Sequence, residues 1–482
     1  MVAGFIFSGF FAYLWLKELT NSPKAAFLGA LFYVWAPYRF LLIYVRASLS
    51  EHLAYTFLPL VLYTLTCLAK KQNARWAAFA AIVIALFLLS QNLVALISVP
   101  ILGFYLLIQA IFNKSLKYVF YGIVSAIWGL TIASFTYLPS LFERDFTHFN
   151  DIFKSAYDTH FVTLKQLIRS PWGYGFDMPG TVNDQMSFQI GLAHLLILVL
   201  VLATFVYYFL QKITFFRKAK NFLFEKSSYK LNVFALFFLT VFMLTIFIMI
   251  DSKPNILIWQ NFEIIRLIDL PWRFLGATIL ALSFLTAYVC RVFKPGIIFL
   301  LLVFAILIAN RNHLRINKTQ VYDDQFFKNY LGHATQFSEF TPKWRQTLKI
   351  PDDFDPKIKA EAITGQVKVI NSFTNSNKIF LKLDVQSESA QVRINKFYFP
   401  GVLVKVDDHR VIPYKDLIIT DLNNLKLDKE QDSSGLMMVN LSKGQHNIDV
   451  IQGETRLRLF ADFLSLGSLI FALGIVIKNV KK

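Results

Sequence analysis

The sequence predicts a polytopic α-helical membrane protein of about eleven spans, with a C-terminal extracytoplasmic β-sandwich placed before the last span. Three observations lead there. Apolar residues fill 55% of the 482 positions, Phe alone contributes 50, and only 17% are charged, which is unlike a soluble domain. Runs near the ~20 apolar residues that cross a hydrocarbon core recur along the chain. Residues 311–456 break that pattern with "QVKVINS", "NKIFLKLDVQ", "AQVRINKFYF" and "VLVKVDD", whose period-two alternation marks half-buried strands.

In order, the spans fall near 2–17, 25–44, 53–69, 76–90, 93–112, 118–141, 187–211, 231–250, 273–290, 295–310 and 459–477. Ser90-Gln91-Asn92 alone separates the fourth and fifth, and reads as a helix break whose side chains satisfy freed backbone groups. Pro37 ends or breaks the second span, because proline lacks an N–H and clashes with the preceding turn. Residues 38–52 then form an interfacial segment. Asp462 reads as a cap of the last span. The domains are a helical part, 1–310, with outer loops 142–186 and 251–272; a mainly-β part, 311–456, irregular up to about 360; and the final span with a basic tail, 457–482.

Charge orients the spans. One set of loops carries Lys17, Lys24, Lys70, Lys71, Arg75, Lys114, Lys117, the 212–230 basic stretch, Arg291, Lys294 and the terminal lysines, with only Glu18 and Glu225 as acids. The other set holds Glu51, Glu143, Asp145, Asp151, Asp158, Asp177, Asp184, Asp251, Glu263 and Asp269. The positive-inside rule puts the first set and the C-terminus in the cytoplasm and the 311–456 part outside. Met1 then falls outside without a basic flank, which leads us to expect an upstream span that this sequence lacks.

Much is excluded. Cys67 and Cys290 build neither a disulfide framework nor a zinc site, and the eight histidines lack ligand spacing. No GxSxG elbow, Walker loop, dinucleotide fingerprint or HExxH occurs. The net charge of +18 comes without a nucleic-acid-binding motif, so the partner it indicates is the lipid bilayer.

Three polar clusters stand out. "PYRFLLIYVRASLSEH" crowds Tyr38, Arg39, Tyr44, Arg46, Glu51 and His52 between apolar runs. If helical, it puts Arg39 and Arg46, seven apart, on one face. Arginine suits bidentate contact with phosphate oxygens, and a carboxylate there could act as general base or hold a metal. The plainer alternative is arginines snorkelling to the interface and pairing with Glu51. "IWQNFEIIRLIDLPWRFLG" interleaves Glu263, Arg266, Asp269 and Arg273 with apolar residues and with Trp259 and Trp272, as an amphipathic re-entrant piece beside a headgroup site or as an interface anchor with internal ion pairs. "RSPWGYGFDMPGTVNDQMSF" offers Trp172 and Tyr174 for stacking on a sugar, with Asp177 and Asp184, though ordinary loop chemistry reads the same way.

"APYRFLLIYVRASLSEHLAYTFLPLVLY" resembles the bacterial 6-pyruvoyl-tetrahydropterin-synthase-related membrane proteins, whose Pro-Tyr-Arg, Tyr-x-Arg, Glu and Pro-Leu pattern is matched by Pro37, Tyr38, Arg39, Tyr44, Arg46, Glu51 and Pro59. "DLPWRFLG" is similar to a second motif of that family, with Asp269 and Leu270 replacing its usual Gln-Phe. "EFTP" and "FYFPGVLVKVDD" resemble two more. Nothing resembles the soluble pterin synthase. The architecture looks instead like class C glycosyltransferases. That resemblance implies transfer of a sugar from a polyprenyl-phosphate donor to a glycan acceptor on the outer face of a bacterial cytoplasmic membrane, by single displacement with inversion. It implies Arg39, Arg46 and Arg273 on the donor phosphate, with Tyr38, Tyr44, His52 and Trp272 around the substrate. Glu51 becomes the general base, with Asp177 and Glu263 in reserve. The resemblance fixes no cofactor, and a divalent metal ion stays open. The acid that such enzymes place after their first span is missing here, which leaves a non-catalytic binder, transporter or scaffold for lipid-linked saccharides as the alternative.

Overall fold

The computed structural model describes residues 1–149, 157–175, 177, 179, 185–210, 227–293, 296–314, 319–330, 339–345, 358–411 and 436–478. Asp151, Asp184, most of the 212–230 basic stretch, Lys294, Lys481, Lys482 and the turn cluster "KEQDSSG" lie outside the described residues. The chain divides into two compact units. One comprises Met1–Ser134, Lys154–Thr319 and Leu464–Lys482, the other Phe135–Phe153 and Gln320–Phe463.

The first unit is helical. Its elements are α1 (Val2–Thr20), α2 (Pro23–Val34), α3 (Pro37–Tyr44), α4 (Leu49–Lys71), α5 (Ala74–Ser90), α6 (Asn92–Asn113) and α7 (Leu116–Ile132), which leads into α8 (Ser134–Glu143). Then follow α9 (Leu164–Ile168), α10 (Leu192–Leu210), α11 (Tyr229–Met249), α12 (Lys253–Asn261), α13 (Glu263–Arg266), α14 (Leu275–Val292) and α15 (Gly296–Asn310). Among the described residues, seven helices are long and apolar enough to cross a membrane, and two bent pairs, α2 with α3 and α7 with α8 and its extension, raise that to nine. Two shorter apolar helices, α5 and α15, complete the set. Each sequence-predicted span falls on one of these apolar helices, of which seven to nine are long and apolar enough to cross a membrane.

Three tight turns at one end share a single device. Asn21, Gln72 and Lys114 take left-handed conformations with φ of 50°, 43° and 48°, which close a helix C-terminus. The next residue, Ser22, Asn73 or Ser115, then accepts a hydrogen bond from a backbone N–H of the following helix, the N-cap that leaves fewest orphan donors. α1 and α2, α4 and α5, and α6 and α7 therefore reverse within two or three residues, and Lys17, Lys24, Lys70, Arg75 and Lys117 gather at that end.

At the other end the expectations need correction. Pro37 does break the second span, by a 42° bend. Residues 38–52, however, are not one interfacial helix. α3 ends at Tyr44, and after a turn at Ala47, with φ of 48°, α4 starts at Leu49. Ser48 offers no side-chain cap, so the usual start signal is absent and the span begins earlier than its apolar run.

The second unit holds a six-stranded antiparallel sheet ordered β1 (Ala360–Thr364), β3 (Lys378–Phe397), β6 (Leu436–Gln452), β4 (Val402–Val406), β5 (His409–Val411), with β2 (Val367–Thr374) also on β3. The expected two-sheet sandwich is thus one sheet among the described residues, because two long strands run through it. Along β3 the buried apolar positions are odd from Ile379 to Val385 and even from Ala390 to Ile394. The register shift between Val385 and Ser389 makes that switch. Across from it, Ile448 and Val450 face Leu381 and Ile379, while Val439 and Met437 face Val392 and Ile394. Both halves share one core.

The final helix, α17 (Arg456–Lys478), follows α16 (Asp324–Asn329) and the sheet in chain order. Its cap is Thr455, whose hydroxyl accepts from the Arg458 N–H at 3.2 Å. Asp462, exposed in the second turn, is not the cap, since the charged Arg-Leu-Arg start hid the first turn from a hydropathy reading.

Candidate functional site

The turn between α3 and α4 brings back into contact residues that sequence spacing set apart. Glu51, in the first turn of α4, has no exposed surface. One carboxylate oxygen accepts from the Tyr38 hydroxyl and the other from Arg46 Nη1. Arg46 lies with its guanidinium 4.5 Å from the ring centroid of Trp272, a cation–π contact on a side chain otherwise screened from water. Tyr38 meets Trp272 and Tyr55 edge-on, at 6.5 and 6.2 Å.

Trp272 and Arg273 come from a 3-10 turn, Pro271–Phe274, that opens α14. Arg273 pairs with Asp269 and also donates to the Ile268 carbonyl at 3.4 Å. Its own carbonyl accepts from the Tyr55 hydroxyl at 3.4 Å. Asp269 takes a φ of 58°. Both arginine-bearing turns thus hold a non-glycine residue in the left-handed region, a conformation that persists where its surroundings over-determine it. Gly276 explains part of that rigidity, because a Cβ there would sit 1.9 Å from the Tyr55 hydroxyl.

Arg39 is buried separately. Its guanidinium donates to Ser8 Oγ at 3.1 Å and to the His52 carbonyl at 3.4 Å, with the rings of Tyr33, Phe5 and Tyr55 within 5.9 Å. No carboxylate hydrogen-bonds it among the described residues. The expected shared face of Arg39 and Arg46 therefore gives way to two environments, since only Arg39 is on α3. His52 turns toward α1, with Nε2 3.1 Å from the Met1 carbonyl and its ring stacked on Phe5. Tyr44 is 40% exposed and stacks on Phe40.

The loop leading to α10 returns to this end at Gly191, whose φ of 106° fits only glycine comfortably and whose Cα side abuts Pro37. It carries Asp177, with a side chain 41% exposed and 3.7 Å from His160 Nε2. His160 and, at longer range, Arg46 hold the Asp177 carboxyl below the usual range. Burial raises Asp269 despite Arg273. Arg46 acts electrostatically on both, and Arg273 acts on Glu51. Trp172 lies against His313, ring centroids 4.3 Å apart, and Gln189 donates to His313 Nε2 at 3.2 Å.

Of the sequence candidates, the structure brings together Tyr38, Arg46, Glu51, Trp272 and Arg273, with Asp177 in electrostatic reach. Glu263 stays apart, 91% exposed and paired with Arg266 at 3.7 Å. Sequence reading missed Tyr55 and His160, which carry no motif; Asp269 was read only within a charged segment with internal ion pairs, and its pairing with Arg273 four residues on is one of these. No three His, Cys, Asp or Glu side chains converge on a metal position among the described residues. Comparison of the chain with protein-family models, curated proteins and solved structures found no match.

Proposed function

We propose that this chain is a glycosyltransferase-like membrane protein that takes a sugar from a polyprenyl-phosphate donor at the outer face of a bacterial cytoplasmic membrane and passes it to a glycan acceptor. The observation that carries this reading is a charge imbalance at one end of the helical unit. Arg39 is buried with no carboxylate hydrogen-bonded to it among the described residues, while Arg46 and Arg273 each pair with one, Glu51 and Asp269. An excess positive charge in a low-dielectric interior is costly, and a phosphate would offset it. All eleven apolar segments then span, the basic turns face the cytoplasm, and the sheet lies outside.

In the transfer step, the acceptor hydroxyl oxygen forms a bond to the anomeric carbon as the bond from that carbon to the phosphate oxygen breaks. The electron pair leaves with polyprenyl phosphate, beside the arginines. Glu51 is poorly suited to take the hydroxyl proton, because it has no exposed surface and both of its oxygens already accept hydrogen bonds. Asp177, partly exposed and held by His160, takes it.

One observation favours the alternative of a binder without chemistry: Arg46 and Arg273 are each already paired with a carboxylate. Transfer of labelled sugar from a panel of polyprenyl-phosphate donors in proteoliposomes separates the two. Under the enzymatic reading Asp177→Asn lowers transfer by about 10²-fold or more with donor binding kept. Donor binding without transfer in the unaltered chain establishes the binder, and neither binding nor transfer removes both.

A further inference from the structure

The short helix α16 carries a feature that the proposed reaction does not use. Phe326 sits at the centre of an aromatic knot, its ring 4.2 Å from Tyr322, 5.4 Å from Phe327 and 5.6 Å from Tyr330. The knot is not buried: Phe327 is 64% exposed, Tyr330 63%, Tyr322 43% and the preceding Val321 94%. Asp323 caps the helix by accepting from the Phe326 N–H at 2.8 Å, so the cluster is a formed element. Such a group of large apolar side chains in water marks an interaction surface.

Chain connectivity narrows the occupant. The apolar helix α15 and its closing 3-10 turn end at Leu314, and seven residues later stands Val321. Seven residues reach at most about 25 Å, so Val321 stays within that distance of the end of an apolar helix. Phe, Tyr and Trp concentrate at the headgroup level of a bilayer, where their rings leave water and their polar edges keep it. Local charge is nearly balanced, with Asp323 and Asp324 against Lys328, so attachment does not call for anionic lipid.

We infer that residues 321–330 are a membrane-interface anchor, with Val321, Phe327 and Tyr330 seated in the headgroup region of the bilayer that holds the helical unit.

The test uses the full chain, with Cys67 and Cys290 replaced by Ala, in phosphatidylcholine nanodiscs. A nitrobenzoxadiazole label is placed at Phe327→Cys, at Val321→Cys, which leaves all four rings in place, and at Gln325→Cys as reference. Nitroxide-bearing lipid should quench the 321 and 327 labels several-fold more than the 325 label, and aqueous iodide should rank them in reverse. Iodide access as free at 321 and 327 as at 325 would overturn the inference, since the knot would then sit in water. Protection of both sites from both quenchers would overturn it equally, because protein would then be the cover. Val321→Cys reads the surface even if Phe327→Cys does not fold.

Discussion

Glu51 is worth most to this protein as the partner of two donors, and its removal should show how much. Glu51→Gln keeps the shape and leaves the Tyr38 hydroxyl an acceptor, but strands Arg46 as an uncompensated charge against Trp272. Breaking a buried ion pair from one side costs about 3–5 kcal/mol, whereas replacing both members can be close to neutral. We therefore expect Glu51→Gln to lower the thermal unfolding midpoint in detergent markedly, and Arg46→Met with Glu51→Gln to recover more than half of the loss. Equal damage in the single and double variants would show that the pair is not the source. Much of this cluster was legible: Tyr38, Arg46, Glu51, Trp272 and Arg273 were singled out by their charge or ring in apolar surroundings. The contacts among them were not, because a left-handed Ala47 creates them, and alanine gives no sign of a turn.

At the scale of elements, the β4–β5 hairpin has a pH-dependent clasp. Its turn is Asp407-Asp408, both with positive φ, the geometry that matches strand twist. His446 Nδ1 donates to Asp407 at 2.6 Å and Nε2 to the Ser442 carbonyl at 2.9 Å. Both partners only accept, so both ring nitrogens must donate, which only the imidazolium does. Partial burial opposes that charge, but the Asp407 and Ser442 hydrogen bonds more than offset it and raise the His446 pKa. The Asn447 N–H and His446 lower that of Asp407. A raised histidine stabilises fully below its unfolded value, near 6.5, and loses that contribution as pH climbs through the folded value. Asp407 loses its own only in acid. Hydrogen exchange of residues 402–411, corrected for intrinsic rate, should therefore grow faster as pH rises from about 6 to about 9, and His446→Gln should flatten the profile. A flat profile in the unaltered chain would remove the clasp. Strand periodicity was visible in sequence for β2, β3 and β4, while β1, β5 and the long β6 went unmarked. The change of phase inside β3 was not, because Gln386, Ser387, Glu388 and Ser389 look like a continuing polar edge while the ladder slips beneath them.

For the whole molecule, the two ends of the helical unit differ in kind: basic turns built on left-handed caps at one, paired arginines and acids at the other. If the first faces the cytoplasm, a membrane-impermeant maleimide added to intact cells should label Ser376→Cys in the sheet and spare Lys117→Cys until lysis, in a chain without native cysteines. Labelling of Lys117→Cys with Ser376→Cys spared in intact cells would reverse the assignment. The paired end also bears on biogenesis. Each charge entering a bilayer alone costs about 2.5–3.5 kcal/mol at mid-depth on insertion scales, yet Arg46 and Glu51 are five residues apart and Asp269 and Arg273 four. Each pair closes within five residues of newly made chain, without waiting for any helix made later. What leaves the translocation machinery is then a neutral hairpin rather than a row of ions. Arg39, whose Ser8 partner is synthesised first, waits only for His52 at the start of α4, so its charge is covered one residue after Arg46 has met Glu51.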